Sequence, residues 1–211
     1  MPDAPRRASR RPTAGVDIRV RGQRRGERDI VKATMAVPGE YAVSRPLDFV
    51  QIDHTQVDIT VVGDLTRAPL PGRPWLTLAI DVFSRMVTGL HVSMSAPSRV
   101  SVGLCLLHSV FDKTAWLKDR EINQGWPVTG LPEAIHVDNA PEFKSRAFVT
   151  GCENGGMPII YRPAVQPHLG GHIERLMGTM MGAIHLLPGT TFSNPVIRGD
   201  YHSANSARMT L

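Results

Sequence analysis

An α/β fold, with a mixed sheet flanked by helices, is what this sequence predicts, and three observations carry that reading. Strand-like segments come first: LDFVQIDHT alternates, and WLTLAIDVFSR is a near-continuous apolar run of the kind buried on both faces. Runs with helical spacing follow, and strand-like segments separate them. The resulting order is three strands, helix, strand, helix, strand, helix. A meander continued by βαβα units builds one sheet with helices packed on it.

Residues 1–40 precede this pattern. They are rich in Pro, Gly and Arg, show no apolar periodicity, and read as a disordered basic arm. LDFVQIDHT then opens the sheet, and DITVV follows as a second β-branched piece. GDLTRAPLPGRP is a turn region, WLTLAIDVFSR the buried strand, and MVTGLHVS the next strand of the meander. In SAPSRVSVGLCLLHSVFDKTAWL, Ser98 is the expected N-cap, and Val102, Leu106, Ser109, Val110 and Lys113 recur at helical spacing. WPVTGLPEAIHVD delivers another strand, KSRAFVTGCENGG a short helix stopped by a Gly pair, and MPIIYRP one more strand. After the AVQPHLGG loop, HIERLMGTMMGAIHLL carries the apolar stripe Ile173, Leu176, Met177, Met180, Ile184 and Leu187. The core is thus expected over residues 41–190, and residues 191–211 read as a truncated C-terminal extension.

Composition narrows the function classes. The chain has 211 residues, 42% of them hydrophobic and 20% charged, as expected of a globular domain with a sizeable core. Its apolar runs are shorter than the roughly 18 residues a membrane span needs. Cys105 and Cys152 lack CxxC spacing, which argues against a zinc module or disulfide framework and favours a reducing, cytoplasmic location. The net charge of +5 is concentrated in the arm: residues 1–32 hold ten Lys/Arg against four Asp/Glu. Such an arm can neutralise DNA phosphates and release counterions.

Three carboxylates stand out. Asp53 and Asp138 each close an apolar run inside a strand-like segment, where an acid is costly unless it is paired or binds a metal. Glu174 opens the last helix, with 35 residues between it and Asp138. Its helical neighbours at plus four and plus eight are Gly178 and Gly182, a bare strip that a backbone or nucleic-acid strand can approach. Hard oxygen donors favour magnesium or manganese over zinc. Two such ions, about 3.5–4 Å apart, suit in-line phosphoryl transfer. Singly, each acid has an ordinary structural explanation as a turn, cap or dipole residue. Asp58, at an odd offset from Asp53, falls on the opposite strand face and is left out of the set.

The words around these acids decide the matter. PLDFVQIDHTQVDI, GRPWLTLAIDVFSR, AIHVDNAPEF and PHLGGHIERLMGTM, followed by HLLPGTTFSN, resemble the DDE transposases and retroviral-type integrases. They look closest to Mu-like large transposase subunits (TniA/TnsB-like) of transposons that also encode an AAA+ ATPase. The resemblance implies an RNase H-like five-stranded mixed sheet, with Asp53, Asp138 and Glu174 as catalytic residues and ligands of two magnesium ions. It implies DNA cleavage at transposon ends and strand transfer, by a homo-oligomer on nucleoid DNA aided by an AAA+ ATPase. Asn139, His168 and Arg175 match its DN, PHxGG and ER words and carry expected DNA contacts, while Asp81 and Arg85 match a DxFSR word read as structural or peripheral. The family usually has Gly where this chain has Ala140, and an Ala forced to positive φ costs about 1 kcal/mol or more. The end-recognition helix-turn-helix modules and the β-barrel of the family are not seen in this sequence. The competing expectation is therefore a truncated, catalytically inactive remnant that only binds DNA.

Overall fold

In the computed structural model, the described residues are 35–37, 40–41, 43–162, 171–192 and 194–211. The basic arm expected over residues 1–40 lies outside them, except for a small hairpin of β1 (Met35–Val37) and β2 (Glu40–Tyr41). The main sheet has five strands: β3 (Val50–Gln56), β4 (Trp75–Asp81), β5 (Val87–Ser93), β6 (Ile135–Val137) and β7 (Ile159–Tyr161). Their order is β5-β4-β3-β6-β7, with β3, β4 and β5 antiparallel and β3, β6 and β7 parallel. This is the mixed five-stranded sheet with flanking helices that the sequence implies. No helix among the described residues is long and apolar enough to cross a membrane.

Each face of the sheet has its own core. On one, Val50, Ile52, Ala79 and Val137 meet α1 (Arg99–Val110) and α3 (Arg146–Asn154) through Val102, Cys105, Phe148 and Cys152. On the other, Leu76, Leu78 and Ile80 meet α4 (Gly171–Ile184) through Ile173 and Met177. Alternation along β3 decides which side chain serves which face. Val50 and Ile52 join the first core, whereas Gln51 accepts a hydrogen bond from the Ile173 N–H of α4 at 3.3 Å. Asp53, two residues on, therefore shares the α4 face.

Several local expectations hold and two do not. Ser98 caps α1 in a capping box with Ser101, and Cys105 and Cys152 are buried free thiols. The long first helix is broken, however: Phe111 is extended, with φ −85° and ψ 158°. Buried Lys113 supplies the reason, donating from Nζ to the carbonyls of Ser109, Phe111 and Val128 at 3.0, 2.9 and 2.5 Å. A new short helix, α2 (Thr114–Asp119), begins after it. DITVV is not a strand either. The β3–β4 ladder ends at Gln56 opposite Trp75. Val57, Ile59 and Val61 instead pack in the α4-side core and Val62 is buried, the segment being held by single bridges and by Thr60 N–H to Gly189 C=O at 2.8 Å. Two short helices, α5 (Pro195–Arg198) and α6 (Ser203–Ser206), lie in the C-terminal stretch, which returns to the core where Val62 N–H donates to Met209 C=O at 2.8 Å.

The α1–β5 contact is tight enough to test. A Cβ on Gly89 would sit 2.6 Å from both the Cys105 oxygen and the Ser109 nitrogen, which are backbone atoms that cannot turn aside. Gly89→Ala is expected to lower the unfolding free energy by about 1–3 kcal/mol, measured by chemical denaturation. In the same contact, His108 Nδ1 accepts from Leu90 N–H at 3.2 Å. Burial, helped by Lys113 and Arg120, holds this imidazole below its ordinary range, and burial lowers His54, His91 and His136 as well. A depressed imidazole adds stability above its unfolded pKa of about 6.5 and loses it as pH falls toward the folded value. Stability should therefore drop on acidification from about pH 7 to about pH 5. A ring titration of His108 by NMR should show a midpoint below about 6.5.

Candidate active site

Four elements bring polar side chains to one end of the parallel strands. Asp53 lies in the middle of β3, opposite Leu78 of β4. Asp138 immediately follows β6, and its Oδ1 accepts the Ala140 N–H at 2.9 Å, closing a turn into a 3-10 helix at Pro141–Lys144. Ala140 itself is extended, with φ −62° and ψ 149°. The position makes no demand for positive φ, so alanine is accommodated there without strain. Glu174 sits in the first turn of α4, where the positive end of the helix dipole favours its charge.

The residue that links these parts is Arg162, directly after β7. Its backbone is fixed on two sides: its N–H donates to Val137 C=O at 2.8 Å, and its C=O accepts Asn139 Nδ2 at 2.5 Å. Its guanidinium then reaches Asp53 Oδ2 at 3.4 Å and Glu174 Oε1 at 3.1 Å. The first distance is that of an ion pair rather than a good hydrogen bond. Arg162 and Asp53 expose only 12% and 17% of their side chains, while Glu174 exposes 51%. The Arg162–Asp53 contact is thus the poorly screened one, and the Glu174 contact faces water.

Asp53 carries the electrostatic tension of the site. Burial pushes its carboxyl above the usual carboxylate range, and the charge of Asp138 pushes the same way. The His54 N–H, at 2.8 Å from Oδ1, and the Arg162 cation act against that rise without cancelling it. On the other face of β3, His54 stacks on Phe143 with ring centroids 4.9 Å apart, and its Nδ1 lies 2.9 Å from Thr77 Oγ1. Its Nε2 is 3.4 Å from Glu142 Oε1 without a well-aligned hydrogen bond. These contacts tie the turn after Asp138 back to β3. Below them, buried Gln51 bridges His136 Nδ1, at 3.3 Å, and the start of α4. Burial, helped by Arg162, lowers His136 to about 3, which keeps this ring neutral.

The other expected residues divide. Asn139 is exposed, but its amide is spent on the Arg162 carbonyl. Arg175 is exposed beside Ile80 and Arg85, on the β4 side of α4. His168 lies in residues 163–170, outside the described residues. Asp81 is fully buried and structural: it accepts from Leu47 N–H at 3.0 Å, Ser84 N–H at 2.8 Å and Ser84 Oγ at 2.5 Å. Asp58 is engaged elsewhere, with Arg73 and with His185 at 3.4 Å. Among the described residues, a Cβ on Gly178 or Gly182 would meet nothing within 4 Å, so the strip beside Glu174 is open there. Asp53 and Glu174 meet through Arg162, and Asp138 acts on Asp53 through its charge. Among the described residues, no three acidic, His or Cys side chains lie close enough to hold a metal ion directly.

With this geometry in view, residues 51–189, more than half of the chain, match the family described as TnsB C-terminal domain. The chain belongs to that family. The TnsB-type match extends to two curated relatives. It is 29% identical over 152 residues to the transposase for transposon Tn552 of Staphylococcus aureus, covering 72% of this chain and 29% of that protein. It is 37% identical over 91 residues to the Tn7 transposition protein TnsB of Escherichia coli, covering 42% of this chain and 13% of that protein. The chain therefore spans less than a third of the length of either relative. Among solved structures, it is similar to the HTLV-2 integrase catalytic core domain in complex with magnesium, at TM-score 0.40 and 18% identity, covering 66% of this chain and 71% of that one. It is also similar to a chain of the simian T-cell lymphotropic virus intasome, at TM-score 0.46 and 16% identity, covering 76% of this chain and 55% of that one.

Arg162 was not singled out from the sequence. The signal it offers is slight: one arginine ending the apolar strand IIY, in front of a proline. Its pairing with Asp53 is testable by a double-mutant cycle. Arg162→Gln should lower stability by about 1–3 kcal/mol, because a mostly buried carboxylate loses its cation. The same change in an Asp53→Asn background should cost clearly less. Equal losses in the two backgrounds would show that the pair is uncoupled.

Proposed function

We propose that this TnsB-type domain is the catalytic core of a DNA transposase, cutting DNA at transposon ends and joining the freed ends to a target by phosphoryl transfer. The observation that carries the reading is the convergence of Asp53 and Glu174 on a single cation, with the charge of Asp138 already felt at Asp53. The donor set is all carboxylate oxygen, which suits magnesium or manganese. Asp53 is also short of compensating charge, the deficit a divalent cation relieves. The donor types thus suit such ions, and Asp53, Asp138 and Glu174 would hold them once drawn closer than they lie with Arg162 between them. When bound, the ions supply activation of the attacking oxygen and stabilisation of the leaving oxygen.

The protein's own part is positioning. β3 and β6 fix two of the acids on a rigid sheet, and the Gln51 bridge sets the first turn of α4, and so Glu174, against it. Arg162 balances the acids while no other cation is bound, and its backbone stays anchored through Val137 and Asn139. The open strip at Gly178 and Gly182 leaves room for a DNA strand along α4. By family resemblance, the working form is a homo-oligomer on paired DNA ends, acting with an AAA+ ATPase.

A second reading, a DNA-binding remnant without catalysis, draws on the acids not closing into one metal-holding group among the described residues. Incubation with a labelled, nicked transposon-end duplex and magnesium or manganese separates the two. The proposal expects metal-dependent nicking that falls to background in Asp138→Asn and Glu174→Gln. DNA binding without nicking would favour the remnant, and equal nicking in the variants would remove these acids from the reaction.

A further inference from the structure

On the β4 side of α4, away from Arg162, a concavity of about 310 Å³ is lined by Ile80, Arg85, His172, Arg175, Leu176 and Thr179. Its two arginines come from separate elements. Arg85 sits in the turn between β4 and β5 at φ 65°, a left-handed conformation that a non-glycine residue rarely takes. Its N–H is tied to Asp81 C=O at 2.9 Å, so the unusual backbone is held by the buried Asp81 turn. Arg175 belongs to the first turn of α4, one residue after Glu174. Neither guanidinium has a carboxylate partner among the described residues. Two arginines share this hollow, next to a helix end whose own dipole is positive. Two guanidiniums gathered without a carboxylate partner among the described residues make a surface suited to an anion.

We propose that Arg85 and Arg175 form a phosphate-binding subsite for the DNA backbone, the strand crossing the first turn of α4 from this hollow to Glu174. The inference rests on the DNA reading above, because what makes the anion a phosphodiester is its place beside Glu174. Glu174 faces Arg162 and Arg175 lines the hollow with Arg85, two directions about 100° apart around the helix. One chain of phosphates can meet both. Arg85 thereby gains a role that its DxFSR word did not suggest.

The test is the salt dependence of DNA affinity, measured on the full chain with a short duplex. Each phosphate contact contributes about 0.9 to the slope of log affinity against log salt. The double variant Arg85→Gln/Arg175→Gln should lower that slope by about 0.9. A charge-matched control, Lys118→Gln on α2 together with Arg120→Gln at its C-cap, should leave it unchanged. Thermal melting of both variants checks that they fold. An unchanged slope in the first variant, or an equal loss in the control, overturns the inference, as does a wild-type chain that binds no DNA. A second arm titrates inorganic phosphate alone and follows the arginine Nε resonances. Saturation there with an unchanged DNA slope would assign the hollow to a free anion and overturn the proposal. Nicking is read separately: a lowered slope without nicking supports the subsite while refuting catalysis, and nicking with an unchanged slope does the reverse.

Discussion

The Arg162 guanidinium, lying between Asp53 and Glu174, is the contact on which the site's arrangement depends. It joins the central strand of the sheet to the helix that covers it, across 109 positions of sequence in one direction and 12 in the other. Its backbone is in turn held by the strand before Asp138 and by Asn139. One residue, by its side chain and its backbone, therefore ties β3, β6, β7 and α4 together. The energetic logic is that of a strained balance. Asp53 is buried enough for its charge to be costly, Asp138 adds to the cost, and a single monovalent cation offsets only part of it. A site left short of positive charge is poised to take up more.

The sheet makes this possible by giving its two faces different work. The α1–α3 face is an apolar core closed by Val50, Ile52, Val102, Phe143 and Phe148, and it keeps β3 and β6 rigid. The α4 face carries the polar side chains Gln51 and Asp53, placed there by simple alternation along one strand. Gln51 satisfies the Ile173 N–H near the open end of α4 and at the same time holds His136, so the helix start cannot drift from the strands. Rigid strands and a pinned helix end supply the positioning that the proposed phosphoryl transfer would demand.

Much of this was legible in the sequence where the determining interactions are local. The Ser98 cap, the buried run of β4 and the Gly-stopped α3 follow from neighbouring residues, and the structure has them. Asp53, Asp138 and Glu174 stand out as a set in the sequence because their surrounding words match a known pattern, and the structure brings two of them, Asp53 and Glu174, to one arginine. Arg162 was hidden because its meaning is tertiary: nothing within several residues says that it will meet Asp53. DITVV misled because β-branched residues look the same whether they pair in a ladder or pack as an extended segment under a helix. The break after Val110 was equally invisible, since Lys113 fits the helical period and acts through distant Val128. Ala140 showed the opposite case, where the backbone proved ordinary although the resemblance suggested a special demand.

The central claim is that Asp53, Asp138 and Glu174 hold divalent cations in place of the Arg162 cation. Anomalous diffraction from crystals grown with manganese tests it most directly. The account predicts manganese peaks bounded by oxygens of these three residues, with the Arg162 guanidinium turned away from Asp53 while its backbone stays in place. Peaks confined to other residues, with Arg162 still bridging Asp53 and Glu174, would contradict it.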